Sequence, residues 1–316
     1  MKKSLLALAV LGAFAGTASA QSNVTLYGRV DLSVARNIGT DYWQMQNGSG
    51  SRLGVRGAED LGGGLKAIFN IEHRFNADTG ELTTAKFWHG RSYVGLAGGF
   101  GEVRFGRDYT PSFLFVELAA DPWGFDTVAT PGTGLRGSIE PVRKDNSINY
   151  SSPNWGGFRI HGQWSMDEVP GNDTNGTWGF AATYAAGPLS FGLGYDKSAD
   201  EDGTWLIGTA AYDFGMFKLI GALGQGRTAG AAGVDGDKMR DYHIAATAPI
   251  GAGELRGSYN RLTNRDADVK VMNKFSVGYH YPMSKRTTVY TDLARDSADH
   301  IDDNKWGFDV GIKHNF

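Results

Sequence analysis

The most constraining feature of this sequence is an alternation of apolar and polar residues that starts at Asn23 and recurs to the end of the chain. Successive side chains of a β-strand point to opposite faces, so an alternating run predicts a strand with one apolar and one polar face. In the first run the apolar face holds Val24, Leu26, Gly28, Val30, Leu32 and Val34. The pattern returns over residues 65–74, 189–196, 274–281 and 306–313. We therefore expect a chain made almost entirely of β-sheet.

The connections between the alternating runs are of two kinds that follow each other in turn. Seven are short and contain Gly or Pro, such as 98–101 and 153–157, and eight are longer, such as 37–50, 76–89 and 263–271. These breaks give sixteen strands, each about 9–14 residues long, whereas strands of soluble proteins, including sandwiches, usually have about 5–6. A tilted strand of about 9–11 residues crosses the hydrocarbon layer of a bilayer.

A closed barrel satisfies every backbone hydrogen bond inside a membrane, which an open sheet cannot do. The predicted fold is therefore all-β, a 16-stranded antiparallel transmembrane β-barrel whose first and last strands pair. A barrel of sixteen strands is too wide for side chains to fill, so we expect water inside it. We expect several tryptophans near the strand ends to lie in interfacial girdles: Trp155, Trp164, Trp178, Trp205 and Trp306.

Composition excludes several other classes of protein. Aromatic residues make up 12% of the chain and the net charge is only −3, which argues against disorder and against a nucleic-acid partner. The chain has no cysteine, so a disulfide scaffold and a cysteine metal cluster are excluded. The seven histidines show no metal-ligand spacing, and no nucleophile or dinucleotide motif is present. We therefore predict no catalytic residue, no metal and no cofactor.

The first twenty residues predict a secretory signal peptide. A basic start at Lys2 and Lys3 precedes an apolar run, and Ala18-Ser19-Ala20 supplies the small residues that signal peptidase requires. Cleavage is expected between Ala20 and Gln21, with residues 21–316 forming a single barrel domain. A short N-terminal anchor is the alternative for residues 1–20.

Several short motifs, in order, resemble the general bacterial porins, and in particular the neisserial-type trimeric porins. They are Asn23–Asp31, Ser51–Ala67, Arg91–Leu96, Gly101–Arg107, Arg143–Pro153 and Gly311–Phe316. The resemblance implies an outer-membrane homotrimer that allows passive diffusion of small hydrophilic solutes. The terminal Phe316 resembles the assembly signal that the barrel-assembly machinery reads, and lipopolysaccharide is an expected neighbour of the acidic outer loops. A channel for one solute class (organic acids or sugars) is an alternative, and a barrel enzyme or adhesin is another.

The alternation places arginines on the polar face of the early strands. Arg52 lies opposite Leu53 in its run, and Arg74 is also inward. Porins of the family carry an arginine cluster on this wall. By motif position we assign that role to Arg52, Arg91 and Arg143, with Arg74 and Arg29 beside them. Arginine keeps its charge at any physiological pH, so we expect weak anion preference.

The longest connection, residues 109–144, corresponds to the third loop of the family, which folds into the barrel and narrows it. Uninterrupted loops of this length are rare unless they have a function. We expect Glu117, Asp121 and Asp126 of this segment to face the arginines across the lumen, while its apolar residues pack on the inner wall. The alternative is that these carboxylates are ordinary solvated charges.

Overall fold

A computed structural model of the chain describes residues 23–137, 142–168, 176–197, 203–230 and 235–316. The predicted signal peptide and its cleavage point at Ala20 and Gln21 lie outside the described residues. Within them the structure has seventeen strands, of which sixteen are long and one is a short addition. Their bounds are β1 Asn23–Arg36, β2 Gln44–Gln46, β3 Ser51–Gly62, β4 Leu65–Phe75, β5 Ser92–Gly98, β6 Gly101–Tyr109, β7 Arg143–Ser151, β8 Phe158–Ser165, β9 Thr177–Ala186, β10 Leu189–Lys197, β11 Thr204–Asp213, β12 Lys218–Arg227, β13 Lys238–Ile250, β14 Gly253–Asn264, β15 Val269–Pro282, β16 Thr287–Asp296 and β17 Trp306–Asn315.

The strands form one closed antiparallel barrel, as predicted. Each long strand pairs with its neighbours in the sequence, and β1 pairs with both β3 and β17. Leu32 lies opposite Ile312 in the β1–β17 pair. The backbone of Phe316 completes this closure, because its N–H and C=O both bond to Gly28 at 3.0–3.1 Å. The short strand β2 pairs only with the outer end of β1.

The barrel is apolar outside and polar inside, which confirms the two faces predicted from the alternation. Leu193, Phe275 and Val310 are about half exposed on the outer face. Polar residues such as Asp241 and Asn260 are fully buried on the inner face. Trp155, Trp164, Trp178 and Trp306 are 45–51% exposed, as girdle residues should be.

Trp205 departs from the prediction that it belongs to a girdle. It is 1% exposed and points inward from β11, where Ile207 is also fully buried. The inner face of β11 is apolar here because residues of the long 110–142 connection pack on it. A small core of Val116, Ala120, Leu135, Trp205 and Ile207 forms between the two.

The connections follow the predicted order of short turns and longer loops, with one difference. The β14–β15 connection, expected over 263–271, is only residues 265–268, because both strands continue further. A register shift between Leu262 and Thr263 accompanies the extension of β14. The described part of the long connection holds three short helical turns: α1 Phe113–Glu117, α2 Leu118–Ala120 and α3 Gly132–Leu135. In the described part of the chain, no helix is long and apolar enough to cross a membrane.

Candidate functional site

Six arginines from neighbouring strands line one side of an internal cavity of about 430 Å³. We call this set the arginine wall: Arg29 of β1, Arg52 and Arg56 of β3, Arg74 of β4, Arg91 just before β5, and Arg143 of β7. The five arginines predicted from the sequence are all in it. Arg56, which the alternation also places inward, is the sixth member. The wall exists because each of these positions falls on the inner face of adjacent strands.

Two carboxylates on the inner face partly neutralise the wall. Glu72 of β4 lies 2.8 Å from Arg74 and 3.9 Å from Arg52, measured between charged atoms. The buried Asp108 of β6 forms an ion pair with Arg91, with 3.0 Å between its Oδ1 and the Arg91 Nε. Among the described residues, no carboxylate forms an ion pair with Arg56 or Arg143. Burying like charges together is costly, so these pairs help to hold the cluster in place.

Tyr109, at the end of β6, joins three arginines of the wall. Its hydroxyl accepts hydrogen bonds from Arg74 and Arg143, each at 2.6 Å. The guanidinium groups of Arg143 and Arg91 also lie over its ring, 4.1 and 5.1 Å from the ring centre. Such cation–π contacts contribute about 0.5–2 kcal/mol each. Tyr109 therefore lets like-charged side chains stand close together.

The field of these cations reaches a histidine in the loop before β5. Partial burial and the nearby charges of Arg143, Arg107 and Arg74 together lower the pKa of His89 to about 4. Its ring is therefore neutral at physiological pH and adds no charge to the site. Burial is the larger cause of this lowered pKa, and the positive charges act in the same direction.

The segment 110–137 contacts residues on the inner faces of the later strands and lines the cavity together with the arginine wall, and we call it the crossing segment. Its polar groups bond to side chains on the inner faces of β10 to β17. These contacts are Thr110 Oγ1 to Asp196, His243 Nε2 with the Ala120 carbonyl, Arg256 to the Pro122 carbonyl, Trp123 Nε1 to Asp292, Val128 N–H to Asp309, Lys274 to the Thr130 carbonyl, and Trp205 Nε1 to the Leu135 carbonyl. Their lengths are 2.7–3.1 Å.

One glycine of the crossing segment is required by both its backbone and its neighbour. Gly137 has φ = +61°, a conformation that favours glycine. A β-carbon at this position would also lie 2.3 Å from the indole of Trp205. The end of α3 can therefore pack against the Trp205 indole only because residue 137 has no side chain.

The three acidic residues predicted to face the arginines have different positions. Asp126 lines the cavity and lies 3.4 Å from Arg29. Glu117 is buried and accepts from Ser112 Oγ at 3.0 Å within the segment. Asp121 is buried too, and accepts from Thr130 Oγ1 and from the N–H groups of Trp123 and Phe125. Burial raises the pKa of Asp121. Glu117 and Asp121 thus shape the segment, and only Asp126 presents its charge to the wall.

Comparison with known proteins identifies the family of this barrel. The profile of the Gram-negative porin family matches residues 7–301. The chain belongs to the Gram-negative porins. It is 39% identical to outer membrane porin protein 32 of Delftia acidovorans over 93% of this chain and 89% of that protein. It is 30% identical to the major outer membrane protein P.IB of Neisseria meningitidis serogroup A, over 64% of this chain and 62% of that one.

A solved structure agrees with this assignment. The anion-selective porin from Comamonas acidovorans superposes with a TM-score of 0.81 and 31% identity, covering 94% of this chain and all of that one. The resemblance to outer-membrane porins, including neisserial ones, is therefore confirmed. The protein is a porin of the Gram-negative outer membrane, and the relatives it matches are channels.

The side of the crossing segment that meets the arginine wall of this porin is mostly apolar. Phe113, Leu114, Leu118 and Phe125 line the cavity together with Asp126. Sequence reasoning expected charges there and missed these residues. The i, i+4 spacing of Leu114 and Leu118 is a signal that could have found them, because it places both on one face of a helix. Across the described residues, no group of three or more His, Asp or Glu could hold a metal ion.

Proposed function

We propose that this porin forms a water-filled channel for small hydrophilic solutes and ions, with a weak preference for anions. The crossing segment would narrow the lumen and bring solutes close to the arginine wall. The observation that carries the proposal is the charge at the cavity, where six guanidinium groups meet three carboxylates: Glu72 and Asp126 on the lining, and Asp108 beside Arg91. The name of the related Comamonas porin as anion-selective supports the same direction.

The local charge should outweigh the charge of the whole chain. Without Lys2 and Lys3 of the predicted signal peptide, the formal net charge is −5. At physiological ionic strength, charges in water are screened beyond about 8 Å. An ion in the narrow section is within that distance of the arginines but not of the outer loops. The arginine wall should therefore set the sign of selectivity.

The test is the reversal potential of the purified porin in a planar bilayer with a gradient of potassium chloride. We expect the reversal potential to have the sign that preferential chloride diffusion produces. The sign should be the same at pH 5 and at pH 8, because arginine stays protonated. Cation preference at both pH values would contradict the proposal. A channel for sugars is the weaker alternative, since uncharged solutes gain no net electrostatic attraction from the positive charge of six guanidinium groups.

We also propose that the porin is a homotrimer. Leu26, Val30 and Leu53 are 61%, 39% and 42% exposed on the outer faces of β1 and β3, and Val94 and Leu96 of β5 extend the same aliphatic surface. Aliphatic side chains without girdle aromatics suit a contact between subunits. Extraction in several mild detergents followed by mass measurement should give three chains. Replacement of Leu26 and Leu53 by Asn should release monomers, and a wild-type monomer in every detergent would contradict the proposal.

The remaining parts of the proposal concern export and assembly. Residues 1–20 would be removed as a signal peptide, and the C-terminal strand ending in Phe316 would be read by the barrel-assembly machinery. The Phe316 ring is 43% exposed beside Gly28, which leaves it accessible on the outer face. The outer rim of the barrel would border lipopolysaccharide.

A further inference from the structure

The cavity between the two sides of the lumen is charged on one side and apolar on the other. Opposite the arginine wall, Leu114, Leu118 and Phe125 are partly exposed, although their neighbours Val116 and Ala120 are fully buried in the small inner core. A water-filled pore gains nothing from apolar side chains turned toward water. Their presence at the charged site calls for a ligand that can cover them.

The apolar side is also held rigidly. Phe113 packs between Tyr109 and Phe125, with ring centres 5.2 and 4.8 Å apart. Phe125 follows the turn closed by Asp121, whose carboxylate accepts from the Phe125 N–H at 2.8 Å. Since Tyr109 also bonds to Arg74 and Arg143, one aromatic cluster fixes the distance between the apolar side and the arginine wall.

We infer that this cavity is a binding site for amphipathic anions, namely carboxylates that carry a compact aromatic or aliphatic ring. The inference rests on the proposed anion preference and deepens it by naming a ligand class. The carboxylate would pair with Arg56 or Arg143, which no carboxylate of the described chain engages as an ion pair. A planar guanidinium can bind a carboxylate with two hydrogen bonds.

The ring of the ligand would then cover Leu114, Leu118 and Phe125. A cavity of about 430 Å³ is near the lower end of the roughly 300–1,000 Å³ typical of ligand pockets, which suits a small monocarboxylate. Covering apolar surface on both partners removes it from water and favours this class over a small hydrated anion of equal charge. The site would concentrate such anions in the lumen without closing the route to chloride.

The experiment uses benzoate and acetate as probes on the whole porin in a planar bilayer at pH 7. Each sodium salt is added to both chambers, and the concentration that halves the chloride current is measured. We expect the half-blocking concentration of benzoate to be about tenfold lower than that of acetate, because only benzoate gains from the apolar side. A pore without this site would favour neither, or would admit the smaller acetate more readily.

A double variant tests the assignment to the segment. Leu114→Gln with Leu118→Gln keeps size and helix propensity but removes the apolar surface. It should raise the half-blocking concentration of benzoate about tenfold and leave that of acetate unchanged. Ala119→Gln is the matched control, because Ala119 is exposed on the same helical turn and does not line the cavity. Unchanged heat-modifiable mobility on a gel checks that each barrel is folded.

The reversal potential in sodium chloride distinguishes failure of the proposed anion preference from failure of the proposed binding site. Cation preference would overturn the proposed function, and this inference with it. Anion preference with equal block by benzoate and acetate would overturn the inference alone. Benzoate block that persists in the folded double variant would also overturn it, because the apolar side would not be the binding surface. Because the wild-type comparison needs no variant, a misfolded mutant would not prevent the test.

Discussion

Replacing Arg52, Arg91 and Arg143 together by Ser should move the reversal potential of this porin from anion preference to cation preference, while the channel continues to conduct. Arg52 comes from β3, Arg91 from the loop before β5, and Arg143 from β7, and all three line the cavity. Their removal would leave three arginines, Arg29, Arg56 and Arg74, against three carboxylates, Glu72, Asp108 and Asp126, so the excess of positive charge would disappear for any nearby ion. Single replacements should give smaller shifts in the same direction.

The expected size of the effect follows from Coulomb's law. At a separation of roughly 8 Å in water, two unit charges interact with about 0.5 kcal/mol, so three charges supply about 1.5 kcal/mol. The energy has opposite signs for chloride and potassium, so their permeability ratio would change by about 3 kcal/mol without salt. Screening over one Debye length reduces this to about 1 kcal/mol, which corresponds to roughly a five- to tenfold change in the ratio. Conductance should persist because Ser is smaller than Arg and leaves the lumen open.

The matched control removes the same charge far from the cavity. Arg36, Arg227 and Lys238 are partly exposed and pair with Asp41, Asp235 and Asp266 in or beside the outer loops. Their joint replacement by Ser should leave the reversal potential nearly unchanged, because salt screens charges beyond about 8 Å. A wild-type reversal potential in the arginine triple variant would show that these side chains do not set selectivity.

The fold could be predicted closely because its main determinant is local. A period of two fixes which face of each strand is apolar, so Leu26 and Leu193 point outward and Arg52 and Arg74 inward without any knowledge of their partners. Closure of the barrel then brings the inward arginines of consecutive strands together. This is why all five predicted arginines fall on one wall, although they are spread over more than a hundred residues of sequence.

Tyr109 illustrates what the alternation cannot predict. In a regular β6 strand it would lie on the opposite face from Asp108 and point to lipid. A β-bulge shifts the register between Gly106 and Asp108, and Gly106 adopts φ = +130° there. Here one residue of β6, Arg107, lies opposite two of β7, Asp145 and Asn146, and beyond this irregularity both Asp108 and Tyr109 contact arginines of the wall. Single-residue insertions of this kind leave no periodic signal in the sequence.

The acidic residues of the crossing segment show a second limit. Composition gives the segment several carboxylates, but their directions depend on tertiary contacts with strands far away in sequence. Asp121 bonds within a turn of its own segment, whereas Asp126 meets Arg29 of β1. The apolar residues were expected to pack on the inner wall, as Val116 and Ala120 do. That Leu114 and Leu118 face the cavity instead follows from the two consecutive helical turns, α1 and α2, that carry all four.

Replacing Trp205 by Ala should loosen the crossing segment and raise the single-channel conductance and its noise. Trp205 is 1% exposed, donates to the Leu135 carbonyl at 2.8 Å and contacts Gly137, so it seats the end of α3 on β11. Truncating a buried Trp typically costs about 3–5 kcal/mol. The lost free energy comes from contacts between the crossing segment and the inner face of β11. Their loss should therefore populate conformations in which the segment lies away from β11.

The barrel itself should survive this change, which makes the measurement interpretable. Trp205 pairs through its backbone with Asp196 of β10 and Gly226 of β12, and Ala keeps both pairings. Trp178→Ala is the matched control: it removes an indole of the same size from the outer face of β9, where it is 48% exposed. That variant should conduct as the wild type does.

The contrary outcome for Trp205→Ala is wild-type conductance and noise in a folded barrel. In that case the remaining anchors, which are the hydrogen bonds from the crossing segment to strands β10 and β13 to β17, would be sufficient to hold it. Because those anchors are hydrogen bonds to single polar groups, each worth about 0.5–1.5 kcal/mol net or up to about 3 when one partner is charged, we expect the packed indole to matter more than any one of them.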